Sequence, residues 1–306
     1  MFTFFLLSSC CDYNELNMQS LVKWAGVDFS QDEVSVSVVC EGEEVMTSTG
    51  KSFFEAVREM SGRSDKKLYW GHTQVIVFGE DALENSFDAT LDATLRSRDV
   101  FLDITPVAAR EMTAKEALTA AKFDVFANSG NSRRFEAVEL WELLRNREMF
   151  GVCVVPTVVK RDGGYVMSGG AVILDSGFVG YLSDEEILFR SLLTDRTAGG
   201  YLPTIESGDR SVSFEILSND LYVKREGDSF LIREKLTLSP AEVRGELSEA
   251  EMKSLAHAYL MSSYEKFINT SRKNGFGNIL NLHGAEKDAD IKVVVDVKIN
   301  SVLGGV

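Results

Sequence analysis

A chain of 306 residues with 44% hydrophobic and 26% charged residues has an ordinary globular composition, and its length suggests two or three domains. Its 47 acidic and 32 basic residues give a formal net charge of -15. Such a surface repels phosphate backbones and anionic headgroups, so composition disfavours nucleic acid as a partner.

The first residues of the chain resemble a lipoprotein signal. A short apolar run ends in Leu7-Ser8-Ser9-Cys10 and then turns polar, which is the order of a lipobox. We expect residues 1–9 to be removed and Cys10 to carry covalent diacylglycerol and N-acyl lipid. The alternative is an N-terminal core strand whose cysteine is a small buried hydrophobe. No other stretch approaches the roughly 20 apolar residues of a membrane span, so we expect the acyl chains to anchor the body.

The section at 10–150 mixes strands and helices without a strict βαβ alternation, which favours an α+β fold. Apolar periodicity predicts its elements. The predicted strands are 20–28, 33–40, 67–78 and 101–109, and the predicted helices are 52–60 ending at Gly62, 80–96, 114–121 and 134–145.

Further along, short strands and Gly-rich turns dominate until a long helix. The predicted strands are 152–160, 165–174 and 178–182, then an antiparallel meander of 212–217, 220–225 and 229–238, and a last strand at 291–302. Ser248 with Glu251 three residues later predicts a capping box that opens a helix at 248–273. Ser183 before three acidic residues predicts another helix start.

We therefore predict a multidomain α+β protein of mixed and antiparallel sheets with packed helices, in three domains. The N-terminal domain is 10–150 and the C-terminal domain is 198–306, with a boundary at Thr197–Gly200. Residues 151–197 form a β-rich middle section that could be a domain of its own.

Two glycine-containing segments resemble nucleotide-binding motifs only in part. Thr49-Gly50-Lys51-Ser52 looks like the end of a phosphate-binding loop, but Val45 stands where that motif requires glycine. A strand-to-helix turn with an N-cap serine explains the segment better. Gly275-Phe276-Gly277 follows a helix and lacks a third glycine, so we interpret it as a helix C-cap.

The histidines and cysteines indicate no reaction centre. His72, His257 and His283 have no partners at metal-ligand spacing. Cys40 and Cys153 lie in apolar alternating runs and are predicted to be buried strand positions. We expect no metal, no cofactor besides the lipid, no catalytic residue and hence no enzyme.

One predicted strand, which begins at residue 67, is interrupted by large aromatics, a glycine and polar side chains. It is either a buried strand with a bulge at Gly71 or an edge that contacts a partner. The residues of that partner-contact hypothesis are Tyr69, Trp70, His72 and Gln74.

Three spaced segments together resemble the Ger(x)C family, the lipoprotein C subunits of spore germinant receptors. Residues 10–16, Cys-Cys-Asp-Tyr-Asn-Glu-Leu, are similar to the family's Cys-Trp-Asp-x-x-Glu-Leu, with Cys11 in place of Trp. Residues 67–80 resemble its K-L-Y-x-G-H-x-Q-V-I segment, and residues 169–186 its small-residue strand, turn, V-G-x-L-S and acidic helix start.

This resemblance implies a non-enzymatic subunit with three α+β domains, lipid-anchored on the outer face of the spore inner membrane. The implied partners are the polytopic A and B subunits of a receptor for small nutrients; whether this chain itself binds a small molecule is left open. The alternatives are a solute-binding lipoprotein of a transporter and a surface-tethered hydrolase.

Overall fold

The computed structural model describes residues 18–40, 44–97, 102–120, 123, 135–194, 199–286 and 289–300. Its strands are β1 Gln19–Ser30, β2 Glu33–Cys40, β3 Met46–Gly50, β4 Lys67–Tyr69, β5 Val75–Gly79, β6 Thr105–Ala109, β7 Val152–Arg161, β8 Gly164–Leu174, β9 Gly177–Leu182, β10 Tyr201–Ser207, β11 Arg210–Glu226, β12 Ser229–Arg244 and β13 Asp290–Ile299. Its helices are α1 Phe53–Arg63, α2 Glu80–Asn85, α3 Phe87–Arg96, α4 Ala114–Ala120, α5 Leu140–Phe150, α6 Asp184–Leu193 and α7 Glu249–Lys273.

The first sheet has nine strands in the order β3-β2-β1-β5-β6-β7-β8-β9, with β4 also paired to β1. Its centre, from β1 through β5 and β6 to β7, is parallel, and its flanks are antiparallel. All five residues of β5 are buried, as expected for a strand covered on both faces. Strands from 10–150 and from 151–197 share this sheet without a break.

The second sheet has the order β10-β11-β12-β13. Its first two pairings are antiparallel, and β13 runs parallel to β12 over ten residues. Exposed and buried residues alternate along β12, and α7 packs against the buried face. The prediction of an α+β fold with mixed and antiparallel sheets is confirmed.

Several predicted elements are wrong in their bounds. The helix at 80–96 is two helices, because Ser86 leaves helical geometry and its hydroxyl donates to the Ala82 carbonyl at 3.2 Å. The two meander strands before residue 226 are one strand of 17 residues, β11, and β10 was not predicted. Helix α5 runs from 140 to 150 instead of 134 to 145. It ends at Gly151, which has φ +70°.

The predicted helix starts and the glycine cap are confirmed. Ser248 accepts the Glu251 N–H at 3.3 Å while the Glu251 carboxylate accepts the Ser248 N–H at 2.9 Å. The bond from the Ser248 N–H, together with hydrogen bonds from Arg210 and the Ser248 hydroxyl, lowers the pKa of Glu251 to about 2. Ser183 forms the same box with Glu186. Ser52 caps α1, and Gly275 takes φ +72° after α7.

The two sheets share a core. Cys153 and Val155 on one face of β7 join a cluster with α5, and Val152 and Val154 on its other face join a cluster with α6, α7 and the second sheet. Cys40 and Cys153 are buried on β2 and β7 as predicted. Burial raises the pKa of the Cys153 thiol to about 12. Residues 1–17, 195–198 and 301–306 lie outside the described residues, and with them Cys10 and part of the predicted domain boundary.

A buried guanidinium links the parts of this shared core. Arg190 on α6 is 2% exposed and forms an ion pair with Glu136, which precedes α5. Its Nε–H donates to the Ile279 carbonyl at 3.0 Å, and the Ser191 hydroxyl donates to the other Glu136 oxygen at 2.6 Å. Three segments distant in sequence therefore meet at one charge.

A second buried polar pair lies between α7 and the second sheet. The Tyr264 hydroxyl lies 2.9 and 2.8 Å from the two carboxyl oxygens of Glu234 on β12. Burial raises the pKa of Glu234 to about 7, and the hydrogen bond from Tyr264 opposes that rise. Burial is the main cause that raises the pKa of Tyr264, and the charge of Glu234 raises this pKa further.

We predict that Glu136→Gln lowers the free energy of unfolding by about 3–5 kcal/mol, because it leaves the Arg190 charge buried without its counter-charge. Urea unfolding followed by circular dichroism measures this. The control is Asp296→Asn, which removes the exposed pair with Lys253 and should cost about 0–1 kcal/mol. Equal losses in the two variants would contradict the role given to Arg190.

We predict that Glu234 makes stability depend on pH. Its folded-state pKa of about 7 lies above the usual 4.5, so the folded state binds the proton more tightly. The free energy of unfolding therefore falls as pH rises from about 4.5 to about 7, by about 3 kcal/mol at most.

Urea unfolding of Glu234→Gln across this pH range tests the prediction. The variant should lose this dependence, because the amide does not titrate, whereas Glu215→Gln on the exposed face of the same sheet should keep it. Identical pH profiles for the two variants would contradict the assignment.

Candidate functional site

The segment at 67–74 leaves the first sheet between two pairings with β1. Strand β4 pairs with Gln19–Leu21 in parallel, and pairing resumes where Val75 meets Trp24. Five residues, 70–74, thus stand opposite only two residues of β1. The predicted single strand at 67–78 is wrong: a turn divides it, which is more than a bulge at Gly71.

Backbone hydrogen bonds fix this turn to strands on either side of it. The Gln74 N–H donates to the Lys23 carbonyl at 2.9 Å, and the Gln74 carbonyl accepts the Thr105 N–H at 2.9 Å. The Thr73 hydroxyl donates to the Val22 carbonyl at 3.2 Å. The turn is therefore held between β1 and β6, and its exposed side chains stand on a rigid base.

The side chains of the turn divide between core and surface. Trp70 is 8% exposed and its ring packs edge-on against Phe53, with centroids 6.0 Å apart. Tyr69 is half-buried and packs edge-on against the exposed His72 at 5.7 Å, and Gln74 is exposed. Trp70 is thus a core residue and offers no surface. A partner surface would consist of Tyr69, His72 and Gln74.

Gly71 has a steric reason to be glycine. A Cβ at this position would lie 2.6 Å from Cζ of Tyr69, closer than two carbon atoms approach without displacement. The glycine therefore lets the Tyr69 ring lie over the turn beside His72. This requirement was visible in the sequence only as a glycine between aromatic residues.

The turn lies near the end of the first sheet at which the parallel strands β1, β4, β5 and β6 begin. We call this end of the sheet the entry end. Gln19, the first residue of β1, pairs with Lys67, so the turn follows directly from the first described residues. Cys10, the predicted lipid site, lies outside the described residues, eight positions before Met18.

Elsewhere, three polar side chains of one surface groove bond to one another. This groove lies between the end of β7, the middle of β8 and the start of α6. Arg161 contacts the Asp184 carboxylate at 3.3 Å and the Ser168 hydroxyl at 3.0 Å, and Ser168 also bonds to Asp184. At its rim Arg110 lies over the Tyr181 ring, 4.6 Å from the centroid. Burial raises the pKa of Tyr181.

The part of the chain that the structure describes holds no group of three His, Cys, Asp or Glu residues that could bind a metal ion. His257 is exposed on α7, and His283 packs edge-on against Phe150 at 5.0 Å. None of the helices within the described ranges is long and apolar enough to cross a bilayer.

Comparison with known proteins identifies the N-terminal half. Residues 12–160 match the family model described as the spore germination protein N-terminal domain. No curated protein sequence matches the chain.

A solved structure shares the fold. The chain is similar to the protein in "Crystal Structure of the GerBC protein", with 16% sequence identity and a TM-score of 0.58 over 90% of this chain and 96% of that chain. At 16% identity the structural similarity shows only the fold, so the evidence for the family comes from the family model. Both support the resemblance to the Ger(x)C family, the C subunits of spore germinant receptors, that the three sequence segments indicate: residues 12–160 belong to the spore germination protein N-terminal domain family, and the chain as a whole has the fold of the GerBC protein.

Proposed function

We propose that this chain is a lipid-anchored, non-enzymatic C subunit that acts with polytopic A and B subunits in nutrient-triggered spore germination. The observation that carries the proposal is the order of two features. A lipobox ends at Cys10, and the spore germination domain begins at residue 12. Removal of residues 1–9 would leave an acylated cysteine directly before that domain.

The anchor would hold the body on the outer face of the spore inner membrane. Two or three acyl chains anchor stably, whereas one chain holds only marginally. Anchoring raises the effective concentration of the body beside membrane partners, so a modest interface suffices for assembly.

The partner contact is proposed for Tyr69, His72 and Gln74. These side chains are exposed or half-buried on a turn that hydrogen bonds hold rigid. A rigid polar and aromatic surface loses little conformational entropy on binding, which favours it as an interface. The turn lies beside the first described residues of the chain, since β4 pairs with the start of β1.

The non-enzymatic role agrees with how the polar groups are used. Arg161, Ser168 and Asp184 bond to one another in the groove beside α6. Glu234 and Cys153, whose pKa values are strongly raised, are both buried. The displaced pKa values of these two groups thus follow from burial and not from a reaction centre open to substrate.

No specific observation favours the alternative of a solute-binding lipoprotein. That class would need two lobes with parallel sheets and a cleft between them. Here the second sheet is antiparallel in its first two pairings, and the two sheets share one hydrophobic core.

We predict that Cys10→Ala moves the chain from the membrane fraction of spores to the soluble fraction, because the thioether to lipid cannot form. Cys11→Ala is the matched control and should stay in the membrane fraction. The described body contains neither position, so both variants should keep the unfolding temperature of the parent. Membrane partition of Cys10→Ala equal to that of the parent would defeat the lipid anchor.

A further inference from the structure

Four exposed apolar side chains lie at the entry end. Met18 precedes β1 and is 61% exposed, and exposed Leu102 lies just before β6. The Trp141 N–H donates to the Leu102 carbonyl at 3.1 Å, which fixes the start of α5 to the same end. Exposed Leu95 lies in the last turn of α3, which returns the chain from β5 toward β6. Four different elements thus contribute apolar surface to one end.

Trp141 has the character of an interfacial residue. It is 44% exposed, its indole N–H bonds to the Glu139 carboxylate, and the Arg145 guanidinium lies 5.2 Å from the ring centroid. A ring with one satisfied polar atom and an open apolar face suits the boundary between water and lipid.

Basic residues flank this apolar surface although the chain as a whole is acidic. Arg63 ends α1, and Lys66 and Lys67 lead into β4; all three side chains are exposed. Lys67 stands opposite Gln19 at the start of β1. Positive charges beside a membrane attract anionic headgroups.

The length of the N-terminal segment keeps this end near the bilayer. The eight residues from 11 to 18 reach at most about 29 Å when fully extended. The 12 residues of β1 span about 40 Å. An anchor at Cys10 therefore restrains the entry end most closely and the opposite end of the sheet least.

We propose that the entry end is a membrane-contacting face of the body. Trp141 and Leu102 enter the headgroup region of the bilayer, and Arg63, Lys66 and Lys67 bind anionic headgroups. This inference rests on the lipid anchor proposed above and adds an orientation to it. The Tyr69 and His72 side chains then lie at the rim of this face, at the level where a membrane protein partner emerges from the bilayer.

Tryptophan fluorescence tests the orientation directly. The lipidated full-length chain is incorporated into vesicles of phosphatidylcholine and phosphatidylglycerol, isolated by flotation, and compared with the same vesicles containing lipid brominated near the headgroup end of its acyl chains. Brominated lipid should reduce the emission of the parent but not of Trp141→Phe, which retains only Trp24 and Trp70. The matched control is Trp141→Phe/Glu33→Trp, because Glu33 is exposed and pairs with Ser30, the last residue of β1, at the opposite end. Its emission should be unchanged.

The outcomes separate the orientation from the anchor. If the protein floats with the vesicles, three results would overturn the orientation alone: equal loss of emission in the parent and Trp141→Phe, no loss in either, or loss in the Glu33→Trp variant. Failure to float would overturn the anchor and the inference that rests on it. Acrylamide quenching of the Trp141 fluorescence gives a further check. If quenching falls only when partner proteins are added, this face binds a protein, and the lipid assignment is overturned.

Discussion

The buried charge of Arg190 constrains how the two sheets of this protein sit together. A guanidinium that is 2% exposed is tolerated only with a counter-charge and filled hydrogen bonds. Glu136 comes from the segment before α5, and the Ile279 carbonyl from the segment after α7. Helix α6 therefore cannot move relative to either segment without exposing or isolating a charge.

Strand β1 organises the other half of the molecule. Gly26 lets α4 approach closely, since a Cβ there would lie 2.8 Å from Cδ1 of Leu118. The Asp28 carboxylate on the same strand accepts the Ala114 and Lys115 N–H groups at 2.7 and 3.1 Å. Burial raises the pKa of Asp28, and these two hydrogen bonds lower it in part. The start of β1 pairs with β4 and supports the turn at 70–74. One strand thus carries a helix contact and supports the candidate partner surface.

What the sequence predicts well is local. The capping box of Ser248 and Glu251 and the cap at Ser52 depend on residues within one turn, so the pattern is sufficient. The fold class follows from the irregular alternation of strands and helices. Family membership was visible in three segments whose letters and order are specific, although composition and periodicity alone would not have found it.

What the sequence misses depends on distant partners. The strand predicted at 67–78 is broken because the five residues 70–74 lie opposite only two residues of β1. This mismatch depends on the pairing with β1, so the sequence of 67–78 alone does not indicate it. Trp70 is aromatic and adjacent to polar residues, so its burial against Phe53 was not distinguishable from exposure. Glu136 and Arg190 are 54 residues apart, and neither has a local signature.

The most direct test of the account is whether the exposed side chains of Tyr69 and His72 bind this chain to membrane partners. Tagged Tyr69→Ala/His72→Ala is isolated from spore membranes in mild detergent beside the parent and the control Tyr222→Ala/His257→Ala, and co-purifying proteins are identified by mass spectrometry. The account predicts two polytopic proteins in fixed proportion with the parent and the control, and their loss from Tyr69→Ala/His72→Ala while the variant stays folded and membrane-bound. Unchanged recovery with that variant would contradict it, and recovery of a transporter permease and ATPase would replace the receptor role with solute binding.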